Sequence, residues 1–114
     1  MDDYNRGIRE LQKSVDDLKQ VQDDIKNKNF DQVQDDWKKA CNDLGRAYIY
    51  MPDMKNDPKL STHIKLTALQ AYHAYTKAAD DPTKEDHISA LNHSIQKLID
   101  EMKEQGFGTT PEWK

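Results

Sequence analysis

The chain has 114 residues, 33% of them charged and 35% hydrophobic, and a net charge of −4. That length suits one domain around one core, and mixed charges with a pI near 5.5 and no basic cluster exclude the electrostatic footprint of a nucleic-acid binder. No apolar run approaches a membrane span, the opening MDDYNRGIRE is acidic where a secretory signal is basic, and the single Cys41 cannot make an internal disulfide, so a cytoplasmic protein is expected.

Residues 4–27 carry Tyr4, Ile8, Leu11, Val15, Leu18 and Ile25, with Gln22 in the one polar slot of the series. Steps of four and three residues give the seam of a bundle helix, with Asn5 as a candidate N-cap. The second run, 30–51, repeats the pattern with Phe30, Val33, Trp37, Ala40, Leu44, Ala47 and Met51. Asn29 is placed to cap it, Gln32 follows at capping-box spacing, and Pro52 stops it. The short link between the two runs makes them antiparallel neighbours.

Asp57-Pro58 and Asp81-Pro82 each offer a cap followed by a pre-set first helical residue. They predict a third helix over 58–80, with Ile64, Ala68, Ala71, Tyr75 and Ala78 on one line and Tyr72 and Ala79 beside it. The fourth, over 82–105, carries Ile88, Leu91, Ile95, Leu98 and Met102, with Ile99 alongside. Gly106 occupies the place of a left-handed C-cap, from which Phe107 can fold back. The expected fold is all-α: an antiparallel up-down-up-down four-helix bundle over 1–106 with an irregular C-terminal tail over 107–114. In size and layout the chain resembles the small bacteriocin immunity proteins, antiparallel four-helix bundles with an irregular C-terminal tail that matters to specificity. The likeness is architectural and transfers no site residues; it implies an immunity-like or inhibitor role as one alternative.

Two near-repeats, QVQDDIK at 20–26 and QVQDDWK at 32–38, flank the first link. With Gln22 on the first seam and Val33 and Trp37 on the second, the copies are expected to be rotated relative to the core. Their aspartates are expected to pair with nearby lysines one helical turn away.

Residue chemistry argues against catalysis and against a bound metal or cofactor. None of the four histidines has a Glu three residues before it, as a di-iron bundle requires. The sequences after His63 and His93 lack the Lys and Gly of a phosphotransfer histidine. Asp53 and Asp57 lack the glycine and twelfth-position Glu of a calcium loop. Cys41 falls on the apolar stripe as a small hydrophobe.

What the core does not absorb lies mid-chain. Ile49 and Tyr50 fall off the second seam, Met54 sits in the following loop, and Leu66, Leu69 and His73 lie off the third seam. Trp113 stands near the chain end. Either the third helix is deeply buried with Met54 folded over it, or these residues form a surface for a protein partner or a homodimer. The second reading makes the chain a non-enzymatic interaction protein. An aromatic pocket among Trp37, Tyr48, Tyr72 and Tyr75, serving a small ligand or an enzyme, is the remaining alternative.

Overall fold

Each of the four amphipathic runs folds as a helix. The computed structural model describes residues 3–108, with α1 at Asp3–Lys26, α2 at Phe30–Tyr50, α3 at Thr62–Asp80 and α4 at Glu85–Glu104. A single 3₁₀ turn, Met54–Asn56, lies between α2 and α3, and no strand occurs among the described residues. The helices make the expected up-down-up-down bundle. α1 packs on α2 and on α4, and α3 packs on α4 and on the 3₁₀ turn. No Cα of α2 comes within 8 Å of one in α3, so the fourth side of the bundle is wide. No helix among the described residues is long and apolar enough to cross a membrane.

The core forms where the seams meet. Ile8, Leu11, Val15, Leu18 and Val21 of α1 are buried against Val33, Trp37, Ala40, Leu44 and Ala47 of α2 and the Ile88–Met102 line of α4. Each large side chain taken fully from water contributes about 1.5–3 kcal/mol. Buried hydroxyls are satisfied within their own helices: Ser14 Oγ donates to the Leu11 carbonyl at 2.6 Å and Thr67 Oγ1 to the His63 carbonyl at 3.0 Å.

Two helix starts differ from expectation, for one reason. The Asp-Pro pairs build turns ahead of the helices instead of capping them. Asp57 accepts the Lys59 amide at 2.8 Å, and its carbonyl accepts the Leu60 amide at 3.2 Å, which tucks Leu60 into the core. Ser61 is the actual cap of α3, its Oγ accepting from the Ile64 amide at 3.2 Å. Asp81 likewise accepts the Thr83 amide at 3.1 Å, and α4 starts at Glu85. Asn29 caps α2 through its backbone carbonyl alone, which receives the Gln32 and Val33 amides, and Gln32 forms no capping box with it.

Two helix ends, those of α4 and α1, are Schellman motifs. After α4, the Phe107 amide reaches the Met102 carbonyl at 3.0 Å and the Gly106 amide the Lys103 carbonyl at 3.0 Å, with Gly106 at φ 108°. After α1, the Asn29 amide reaches the Asp24 carbonyl at 2.8 Å and the Lys28 amide the Ile25 carbonyl at 3.1 Å. There the left-handed position, φ 59°, is filled by Lys28.

Candidate functional site

The two readings of the mid-chain residues divide between them. Met54, the first residue of the 3₁₀ turn, is buried and belongs to the core, not to an outer face. Tyr50 is half-buried, with the Arg6 guanidinium 5.8 Å from its ring centre. Ile49 is 73% exposed, Leu66 54% and Leu69 49%, and these remain outside. Tyr72, read from the sequence as flanking the core, is 51% exposed and joins them, with the exposed His73 ring set edge-on to it at 6.3 Å. Leu66, Leu69 and His73 follow one another at three- and four-residue spacing on the side of α3 opposite its buried Ile64, Thr67, Ala71 and Ala78. Phe30 is also half exposed, but at the far end of α2. Trp113 lies outside the described residues.

Large aromatic side chains span the wide side between α2 and α3. Trp37 and Tyr75 stack, with ring centroids 6.0 Å apart and planes at 17°. The Tyr75 hydroxyl points at Cys41 Sγ, 4.0 Å away. Burial pushes the Cys41 thiol up, and the thiol remains a half-buried hydrophobe. Burial raises Tyr48 as well, aided by Tyr75 and Tyr72 nearby. The four aromatics of the proposed pocket therefore do share one side of the bundle, and Trp37 and Tyr75 fill it by stacking. Gly45 also lies on α2, and a methyl group built there would meet nothing within 4 Å.

A cleft of about 620 Å³ opens at the bundle end where α1 begins and α2 stops. Tyr4, Tyr50, Met51, Asp57 and Phe107 are among its walls. The Tyr4 hydroxyl donates to Asp57, and its ring meets Phe107 with centroids 4.8 Å apart. Burial, then the Asp57 carboxylate, raise the Tyr4 hydroxyl, while the same bond holds Asp57 below the usual carboxylate range. Asn5, expected as a helix cap, instead accepts the Gly108 amide.

The edge between α1 and α2 is lined with acids. Glu10, Asp17 and Asp24 recur every seven residues on α1, and Asp36 and Asp43 are seven apart on α2. Burial pushes Glu10 up, but hydrogen bonds from Arg46, at 2.9 Å, and Lys13 outweigh it and leave its pKa lowered. Arg46 also binds Asp43. The Asp17 carboxyl lies against that of Asp43, and the Asp36 carboxyl against that of Asp24, close enough to share a proton. Asp24, Asp36 and Asp43 are buried. The lysines beside the QVQDD copies choose other partners than the expected Asp23 for Lys26 and Asp35 for Lys39: Lys39 reaches Asp36, one turn away, at 3.8 Å, and Lys26 reaches Glu85 of α4 at 3.6 Å. The expected rotation of the two copies is also corrected. Val21 and Val33 are both fully buried and the final aspartates of both copies are buried, while Gln22 is only half-buried. The seam steps from Leu18 to Val21, so both copies turn the same letters inward.

The described residues hold no group of three or more His, Cys, Asp or Glu side chains placed to bind a metal ion. The exposed His63 ties α3 to α4 through Glu101 at 2.7 Å. No family model, curated protein or solved structure matches the chain.

Proposed function

We propose that this chain is a non-enzymatic helical-bundle protein that acts by protein–protein interaction, self-association included, through the outer side of α3 and the end of α2. The exposure of Leu66, Leu69, Tyr72 and Ile49 carries this reading. The chain is polar over most of its outward surface, and leaving large apolar groups in water has a cost that a partner surface would remove. Tyrosine and aliphatic side chains with few charges suit the centre of an interface. A reducing cytoplasm accords with one unpaired cysteine.

The test is the double substitution Leu66→Lys with Leu69→Lys, compared with wild type by circular dichroism, light scattering and partner capture. Both residues point away from the core, so helix content should hold while self-association or a specific captured partner is lost. Unchanged mass at high concentration together with unchanged captured partners would overturn the proposal.

A further inference from the structure

The acid pairs between α1 and α2 are not needed for an outer interaction face, and they are costly to bury. Two ionised carboxylates offer only acceptors, so a hydrogen bond between them requires that one keep its proton. Asp24 Oδ1 accepts from Gln20 Nε2 at 3.1 Å, while its Oδ2 is sealed from solvent and has no donor. The facing Asp36 carboxyl, itself buried, would supply a donor there if it kept its proton. One heptad away along both helices the half-buried Asp17 faces Asp43, which is also bound by Arg46.

We propose that Asp24–Asp36 and Asp17–Asp43 form a proton-operated latch on the α1–α2 hairpin, each pair holding one proton when closed, so that losing these protons loosens the hairpin. The QVQDD repeat supplies one pair: the last aspartates of its two copies are the partners.

The surrounding charges leave this balance in place. On α2, Lys39 favours ionisation of both Asp17 and Asp36, and Asp35 opposes it at Asp36. On α1, Asp16 opposes ionisation of Asp17. Arg46 is shared between Asp43 and Glu10. From α4, on the other side of α1, Glu85 is paired with Lys26. Burial first, then the bond to Asp43, push Asp17 up to about 7. The bond to Asp24 first, then burial, raise Asp36.

The sign follows from proton linkage. The folded hairpin binds more protons than the unfolded chain between the unfolded carboxyl range, about 4, and the raised folded values. Stability should therefore fall as pH rises through that window, to about pH 7 where Asp17 titrates.

Two measurements on the full chain test the latch. Carboxyl ¹³C NMR of the wild type should show one aspartate of each pair titrating well above the ordinary carboxylate range, with Asp17–Asp43 near neutrality. Thermal melts should be run from pH 5 to 8 on wild type and on Asp17→Asn with Asp24→Asn. An asparagine amide donates without a proton, and at residue 24 it also fills the donorless Oδ2 position. The variant should lose most of the wild-type decline and melt about 5 °C or more above wild type at pH 8. Any contribution of the His63–Glu101 pair is common to both proteins, so the difference isolates the carboxyls. The latch is overturned if every aspartate titrates below pH 5, or if the variant keeps the wild-type slope. Should the variant fail to fold, the wild-type titration alone decides.

Discussion

The two sides of α2 are built on opposite plans. Toward α1 the backbones are close, with Gly7, Ala40 and Ala47 buried along this side and acids meeting across the edge. Toward α3 the backbones stand apart, and Trp37, Tyr75 and Tyr48 cross the gap. The connections differ as well: residues 27–29 join α1 to α2, whereas residues 51–61 join α2 to α3. A short link holds helices at backbone contact, where small residues and paired polar groups fit. A long link lets large side chains set the distance, and leaves a looser edge beside the exposed face of α3.

The contrast can be broken most severely at Trp37. If aromatics alone hold α2 to α3, Trp37→Ala should cost about 3–5 kcal/mol in chemical denaturation, and Tyr75 should lose its near-ultraviolet dichroism. A loss under 1 kcal/mol would mean that α3 is held by α4 and the 3₁₀ turn.

The two glycines of the helices sharpen the comparison. At Gly7 an added Cβ collides with Sδ, Cε and Cγ of the buried Met51, and overpacking of about 1–3 kcal/mol outweighs the helix-propensity gain, so Gly7→Ala should destabilise by up to about 2 kcal/mol. At Gly45 there is open space, and Gly45→Ala should stabilise by about 1 kcal/mol through helix propensity. Opposite signs in paired denaturant melts would show close packing on one side only. The smallest effect is expected at the tight link itself. Lys28 holds a left-handed conformation that glycine adopts without strain, so Lys28→Gly should raise stability by about 0.5–1 kcal/mol.

Much of this was legible in residue spacing. Ile8, Leu11, Val15 and Leu18 on α1 and Ile88, Leu91, Ile95, Leu98 and Met102 on α4 fall where three- and four-residue steps put them, and Gly106 stops α4 as its position indicates. The helix starts at 62 and 85 were less legible, because Asp before Pro serves an Asx turn as readily as a cap, and a hydrogen-bond choice made two residues later decides between them. The acid pairs were hidden because aspartate on a helix reads as a solvated residue. Only the register of α1 against α2 brings Asp24 to Asp36, although the seven-residue recurrence of Glu10, Asp17 and Asp24 was visible. The outward places of Leu66 and Leu69 were readable from the third seam. Met54 was not, since a residue in a loop has no periodicity to place it.

The contact between Asn5 and Gly108, backed by Tyr4 on Phe107, joins residues 103 apart in sequence. Closing so long a loop carries an entropic cost that local helix pairing does not, and contacts of this span form after the elements they connect. The bundle end should therefore be the last part to assemble and the first to open. Amide exchange at Gly108 should report that local opening, well below the free energy needed to expose the amides of Leu18 or Ile95. Tyr4 and Phe107 should thus act as a kinetic seal, setting how often the bundle end is transiently accessible while the rest of the fold stays intact.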